Sequence, residues 1–307
     1  MLKGRDILSI LDLTTDDLDV IFREADRMLE AGLRLPDLLK GKVLATAFFE
    51  PSTRTKLSFQ SAMLRLGGGV IDLPPDYASS RFKGESLADT IRMLDAYSDI
   101  IVIRHKIEGM ARFAAEIAEA PVINGGDGTR DHPTQAVIDL YTIRRELGRL
   151  NGLTIGVLGD LRYGRAARSF ILGVLKYRPD KIYLVSPTSL KPRKEVLEYL
   201  DKDEIPYEET DNLGKVLPEL DVLYVTRIQR ERFPDPAEYE RVKGSYRIAV
   251  SGLQEAKQDL IILHPLPRVD ELDYSVDATR HAKYFKQAGY GIPIRMALLK
   301  LLLEGES

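Results

Sequence analysis

Short, almost unbroken apolar runs recur along this chain, each ending in a polar tip and passing into an amphipathic segment, and that alternation leaves few folds open. Val43-Leu44-Ala45-Thr46-Ala47-Phe48-Phe49, Ile100-Ile101-Val102-Ile103 and Pro121-Val122-Ile123-Asn124 are runs of the kind buried on both faces of a parallel sheet. Helical periods lie around them. Thr14-Thr15-Asp16-Asp17 opens a helix whose inner face is Leu18, Ile21, Phe22, Ala25 and Leu29. Phe59, Ala62, Met63 and Leu66 fall at i, i+3, i+4 and i+7 until Gly67-Gly68-Gly69 stops them. Ser86 caps a helix reaching Leu94, another spans Glu108 to Ala118, and Gly125-Gly126-Asp127-Gly128 reads as a turn before a helix that runs from Asp131 to about Leu147. The second half repeats the pattern, with strands at Leu153–Leu158, Ile182–Val185, Val222–Val225 and Leu260–Leu263 and a last apolar helix, Ile292 to Leu303, after Gly289-Tyr290-Gly291. Strand and helix in alternation specify an α/β fold in which each mostly parallel sheet is flanked by helices.

At 307 residues the chain is long enough for two domains of about 150 residues each. Gly148 to Gly152 is the best boundary, because a fresh strand begins directly after it. The net charge of −3, from 44 basic and 47 acidic residues, gives no electrostatic case for nucleic acid or an anionic membrane. Any cationic site is therefore local. The chain has no cysteine, which removes disulfides, thiolate nucleophiles and cysteine-based zinc sites together. The N-terminus lacks the apolar core of a signal peptide and no uncharged run approaches the ~20 residues of a membrane helix, so a cytoplasmic protein is expected.

The polar tips carry the chemistry. Glu50-Pro51-Ser52-Thr53-Arg54-Thr55-Lys56 joins a strand to a helix, where backbone N–H groups and the helix dipole favour an anion. Ser52, Thr53 and Thr55 add hydroxyl donors, and the Arg54 guanidinium can hold two phosphate oxygens at once. Taken alone, this stretch reads better as an ordinary Ser/Thr helix cap with surface charges. Arg104 and His132, like Thr55, lie just past a strand, at the sheet edge where open α/β folds bind ligands. Gly159-Asp160-Leu161-Arg162-Tyr163-Gly164-Arg165-Ala166 has the outline of a P-loop but carries Arg-Ala where Lys-Ser/Thr is required, and it is not G-x-G-x-x-G either. Arg165 at a helix start opposes the dipole unless an anionic ligand compensates it. The four histidines, His105, His132, His264 and His281, are not spaced as metal ligands, so no metal and no cofactor is expected, and His105 and His264 read as structural hydrogen bonders. Nothing pairs a nucleophile with a base. Cations and hydroxyls at strand ends of both halves suit one substrate bearing phosphate and another bearing carboxylates.

These residues resemble the catalytic chains of the aspartate carbamoyltransferase family, within the aspartate/ornithine carbamoyltransferase superfamily. Phe49-Glu50-Pro51-Ser52-Thr53-Arg54-Thr55, Ile103-Arg104-His105, His132-Pro133-Thr134-Gln135, Gly159 to Arg165, Thr226-Arg227-Ile228-Gln229 and His264-Pro265-Leu266-Pro267-Arg268 follow the family order. The first motif is shared with ornithine carbamoyltransferases, which typically have H-C-L-P where this chain has His264-Pro265-Leu266-Pro267. The resemblance implies two Rossmann-like α/β domains. A carbamoyl-phosphate-binding domain would span 1–149, an aspartate-binding domain 150–290, and a C-terminal helix, 291–307, would pack back on the first. It implies transfer of the carbamoyl group of carbamoyl phosphate to the amine of L-aspartate, the committed step of de novo pyrimidine biosynthesis. Ser52, Thr53, Arg54, Thr55, Arg104, His132, Gln135, Pro265 and Leu266 would bind carbamoyl phosphate, with Arg54, Thr55, Arg104 and His132 catalytic. Lys83, Arg165, Arg227 and Gln229 would hold aspartate. Lys83 and Ser79 would enter the site of a neighbouring subunit in a homotrimer, Glu50 and Arg232 would bridge the domains on closure, and a zinc-containing regulatory chain is a further partner in a larger dodecamer. A carbamoyltransferase for another amino acid, a non-catalytic anion-binding module of the same fold and a nicotinamide enzyme remain the competing readings.

Overall fold

The computed structural model describes residues 2–74, 83–230, 233 and 235–306, and Ser79, Ser80-Arg81-Phe82 and Arg232 lie outside them. The chain forms two compact units, Met1–Val137 with Tyr290–Ser307 and Ile138–Gly289. The first holds a four-stranded sheet in the order β2-β1-β3-β4 and the second a five-stranded sheet in the order β7-β6-β5-β8-β9. Every ladder between these strands is parallel.

In the first unit β1 (Val43–Phe48) lies between β2 (Gly69–Asp72) and β3 (Ile100–His105), and β4 (Val122–Asp127) pairs with β3. Leu44, Ala45, Ala47 and Ile100 to Ile103 are fully buried, as a strand covered on both faces requires. Helix α1 (Thr15–Glu30) starts with a reciprocal capping box, in which the Thr14 hydroxyl accepts from the Asp17 N–H and the Asp17 carboxylate from the Thr14 N–H. Its buried stripe is Leu18, Ile21, Phe22, Ala25 and Met28. Met28 takes the place expected for Leu29. Helix α2 (Arg54–Arg65) buries Phe59, Ala62 and Met63, and α3 (Leu87–Tyr97) is capped by the Ser86 hydroxyl, which accepts from the Asp89 N–H.

Helix α4 is only Met110–Ala115, while α5 covers Pro133–Leu147. The expected turn at residues 125–128 is instead strand as far as Asp127. The Asn124 amide donates to the Asp127 carboxylate at 2.9 Å and accepts from the Gly126 N–H at 2.8 Å. Those bonds brace the strand end, where Gly126 takes φ +116° and a register shift occurs between Ile103 and His105. Gly125 is tightly surrounded, since a Cβ there would lie 3.2 Å from the Ile103 carbonyl oxygen and 3.3 Å from a Val102 methyl.

In the second unit β5 (Thr154–Leu158) is central, with β6 (Lys181–Val185) and β7 (Tyr207–Thr210) on one side and β8 (Val222–Val225) and β9 (Ile261–Leu263) on the other. Helices α6 (Arg165–Leu175), α7 (Lys194–Lys202), α8 (Leu213–Val216) and α9 (Pro236–Val242) connect them. The last helix, α10 (Tyr284–Leu303), starts eight residues before the expected position and runs through Gly289, Gly291 and Pro293. Its early turns are anchored by fully buried Tyr284 and by Gln287, and its later turns are buried all round from Ile294 to Leu302. Burial of that extent outweighs the ~3 kcal/mol that a proline costs inside a helix. Within the first unit, Lys300 of α10 pairs with Glu24 at 3.7 Å and the Gly4 N–H donates to the Leu302 carbonyl. None of the described helices is long and apolar enough to cross a membrane.

Candidate active site

The strand orders fix where each sheet can bind a ligand. After β1 the chain moves to β2 on one side, then returns to place β3 on the other, so the carboxyl ends of β1 and β3 flank a topological switch point. Those ends carry the cradle and Arg104. The second sheet reverses in the same way between β5 and β8, whose carboxyl ends carry Gly159 to Arg165 and Thr226 to Gln229.

In the first unit the cradle is a strand-to-helix turn without a side-chain cap. Thr53, the residue before α2, has helical backbone (φ −78°, ψ −58°), and its hydroxyl makes no capping bond. No hydroxyl cap competes with an incoming anion for the first-turn N–H groups. Ser52 is half-buried, while Thr53 and Arg54 are exposed. Thr55 turns inward, only 6% exposed, and its Oγ1 lies 3.5 Å from Nε2 of His132, itself 6% exposed. His132 stands at the head of α5, whose first turn closes through N–H bonds from Gln135 and Ala136 to the His132 carbonyl. Gln135 is half-buried beside it in sequence.

Arg104 is paired in register with Phe48. Its Nη1 donates to the Gly125 carbonyl at 3.2 Å, and its Nε lies 2.8 Å from Oε1 of Glu50. Both side chains of that ion pair are about 15% exposed. Glu50 therefore orients a guanidinium of its own unit, a partnership that sequence reading did not find, because it depends on β1 and β3 being neighbours in the sheet. Lys56, next to the cradle, is held by Asp72 at 2.7 Å. His105 accepts the Ile107 N–H on Nδ1 at 3.0 Å and sets its ring 5.2 Å from that of Phe49. Lys83 is exposed, the first described residue after the 75–82 segment.

In the second unit the turn after β5 is built around Asp160. Its carboxylate accepts the N–H groups of Arg162 at 3.2 Å and Tyr163 at 2.8 Å, and its own N–H donates to the Thr226 hydroxyl at the end of β8. Burial pushes this carboxyl up to about 6, against the pull of those N–H groups, the Gln229 N–H and the Arg227 charge. Arg165 occupies the first position of α6 with only 6% exposure and no capping side chain before it. Arg227 and Gln229 are half-buried on the segment after β8. After β9, Pro265 and Leu266 are half-buried, and Leu266 has φ +56°. A side-chain-bearing residue in that left-handed region costs of order 1–3 kcal/mol and persists only where neighbours enforce it. Asp160 lies within the quoted Gly159 to Arg165 stretch without having been given a role there, and Glu271 lies beyond the His264 to Arg268 motif; both are buried acidic residues whose partners only the fold supplies.

The structure thus brings Thr55 to His132 and Glu50 to Arg104 in the first unit, and Arg227 into the field of Asp160 in the second. Among the described residues no group of three or more His, Cys, Asp or Glu side chains is arranged to hold a metal ion.

Residues 5–145 match the family model described as "Aspartate/ornithine carbamoyltransferase, carbamoyl-P binding domain", and residues 151–302 match its companion, the "Asp/Orn binding domain". The aspartate carbamoyltransferase catalytic subunit of Thermofilum pendens is 61% identical over 98% of this chain and 96% of its own, and that of Korarchaeum cryptofilum 59% identical over 97% and 98%. Among solved structures, the catalytic subunit of M. jannaschii aspartate transcarbamoylase is 50% identical with a TM-score of 0.88, covering 97% of each chain. The Trypanosoma cruzi aspartate transcarbamoylase in complex with carbamoyl phosphate and aspartate is 39% identical with a TM-score of 0.94, covering 98% of each chain. Two matching domain models and near-complete coverage at this identity leave one assignment: the chain belongs to the aspartate/ornithine carbamoyltransferase family.

Proposed function

We propose that this chain transfers the carbamoyl group of carbamoyl phosphate to the amine of L-aspartate, giving N-carbamoyl-L-aspartate and phosphate. The observation that carries the choice of acceptor is the pair of arginines at the switch point of the second sheet. Arg165, buried at a helix start, and Arg227, on the segment after β8, offer charge to two carboxylates, whereas the side-chain ammonium of ornithine would be repelled. The relatives named above support the same reading.

In this reading Ser52, Thr53, Arg54 and Thr55 hold the phosphate, with Gln135, Pro265 and Leu266 on the carbamoyl group and Gln229 and Lys83 assisting aspartate. The uncharged amine of aspartate attacks the carbamoyl carbon. Thr55, Arg104 and His132 donate to the oxygen as it becomes negative, each donor worth ~2.7–4 kcal/mol of barrier. The C–O bond to phosphate then breaks, Arg54 offsets the negative charge building on the departing phosphate, and that phosphate takes the proton released by the amine and leaves as the dianion. Glu50, 2.8 Å from Arg104, keeps that guanidinium aimed.

A homotrimer in which Lys83, with Ser79, reaches the neighbouring site belongs to the same reading, as does a zinc-bearing regulatory chain. Native mass measurement with and without a coexpressed partner tests both. For the reaction itself, purified protein is given carbamoyl phosphate with aspartate or ornithine and the carbamoylated product is quantified. Carbamoylaspartate is the expected product; carbamoylation of ornithine alone, or of neither amine, would overturn the proposal.

A further inference from the structure

A second, wholly buried set of side chains lies behind the segment that follows β9. His264 is 1% exposed and Glu271 5%. Nδ1 of His264 accepts the Leu266 N–H at 2.8 Å, so the imidazole proton sits on Nε2. That Nε2–H points at Oε1 of Glu271, 2.7 Å away. The Glu271 carboxylate also accepts the Val269 and Asp270 N–H groups at 3.2 Å. Burial pushes this carboxyl up, but the His264 N–H and the backbone donors overcome it and hold it below the usual range. On the other side, the backbone N–H of His264 donates at 2.8 Å to Gln287 of α10, whose amide donates at 2.6 Å to buried Asp139 of α5.

The far end of this chain of bonds is Leu266, with φ +56°. Its N–H is fixed by an acceptor nitrogen that exists only while the imidazole keeps its proton on Nε2. An acceptor opposite Nε2 reinforces that tautomer, and Glu271 is that acceptor. We propose that Glu271 is a positioning residue for the reaction, acting through the His264 tautomer to hold Leu266, and with it Pro265, in the conformation that contacts carbamoyl phosphate. The inference rests on the proposed assignment of Pro265 and Leu266 to that substrate. Gln287 does the complementary task of pinning the end of β9 from which the segment departs.

Three measurements test it on the full-length protein. In ¹⁵N-histidine-labelled wild type at neutral pH, His264 should carry its proton on Nε2, with Nδ1 unprotonated; a proton on Nδ1 overturns the proposal whatever the activity. Glu271→Leu, which removes the acceptor, should raise the KM for carbamoyl phosphate about tenfold or more and leave kcat within about threefold, because binding in ground state and transition state is lost alike. Glu271→Gln keeps an acceptor oxygen and should restore KM to within about threefold of wild type. An unchanged KM in Glu271→Leu, or no rescue by Gln, counts against the role. Should Glu271→Leu not fold, Glu271→Asp, whose carboxylate stops one methylene short of Nε2, should show the same rise in KM in weaker form, and no rise in it would sink the idea. If wild type makes no carbamoylaspartate, the assignment of function fails instead, while the tautomer and direct calorimetric binding of carbamoyl phosphate still judge the positioning pair.

Discussion

Arg54 and Asp160 show how differently two charged side chains of one molecule can be put to use. Arg54 is exposed at the start of a helix whose N-cap residue, Thr53, makes no side-chain capping bond, so little of its surface is buried by the fold. Arg54→Ala should therefore leave the denaturation midpoint almost unchanged. With carbamoyl phosphate saturating, it should lower turnover by about 10²–10³, the loss typical of removing one stabilising donor; unchanged turnover would remove Arg54 from the leaving-group role. Asp160 is the opposite case. Burial lifts its carboxyl to about 6 from 3.8, so the folded state favours the protonated acid and binds protons more tightly than the unfolded chain does. The sign follows: below about pH 4 both states are protonated and the shift has no effect. Stability falls as pH rises toward 6, and above 6 the full penalty, about 3 kcal/mol, is present. Asn at this position can still accept the Arg162 and Tyr163 N–H groups but cannot titrate. The stability of Asp160→Asn relative to wild type should therefore increase between pH 4 and pH 7 in denaturant titrations. A difference that does not vary with pH would show that Asp160 titrates normally.

At the scale of elements, the turn between β5 and α6 depends on Gly159. Its φ is +118°, and a Cβ there would lie 2.1 Å from the Thr226 carbonyl oxygen, a backbone atom that can retreat only if the end of β8 moves with it. Gly159→Ala should destabilise the protein by more than ~3 kcal/mol, seen as a lowered urea midpoint with an unchanged slope. It should also weaken aspartate binding, because Arg227 departs from the same strand end. An alanine variant of wild-type stability would mean that the turn relaxes freely. The need for glycine here was legible, since a strand entering a helix through Gly-x-x-x-x-Gly is a familiar pattern, and so were β1, β3, β5, β6 and β8, whose apolar runs are buried on both faces. The edge strands β2 and β7 were not. Gly69-Val70-Ile71-Asp72 and Tyr207-Glu208-Glu209-Thr210 are half-exposed, four residues long and without a strong alternation, so only pairing with a neighbour makes them strands. The extension of β4 through two glycines and of α10 through Gly289, Gly291 and Pro293 has the same origin. Local propensity argued for an end in both places, and tertiary bonds from Asn124 and burial around Gln287 and Ile294 decided otherwise. The site divided along the same line: Thr55, Arg104 and His132 were readable as polar tips of buried strands. Glu50 as the partner of Arg104, and Glu271 behind His264, needed three-dimensional neighbours to appear.

For the molecule as a whole, the decisive question is whether one chain makes a complete site. Lys83 is exposed, separated from α2 and its cradle by the 75–82 segment, and the proposed reading sends it to a neighbouring subunit. Symmetry turns that into arithmetic. Take Arg54→Ala, which spoils the cradle of its own subunit, and Lys83→Gln, which spoils the residue lent to the next one; each homotrimer should be nearly inactive. Dissociating and reassembling an equal mixture gives mixed trimers about three quarters of the time. In a closed ring of three, each mixed trimer contains one site built from an intact cradle and an intact Lys83. Recovery should then approach about a quarter of wild-type activity. A site made within one chain predicts a different result, since every chain would still carry one lesion and reassembly would recover nothing above the two parents. Intermediate recovery that scales with the fraction of mixed trimers, resolved by charge-based separation after one parent is given an acidic terminal tag, would assign the activity to those species. The same separation measures the activity of each hybrid class, which should be equal for the two compositions, because a ring with one lesion of either kind and two of the other contains the same single intact junction.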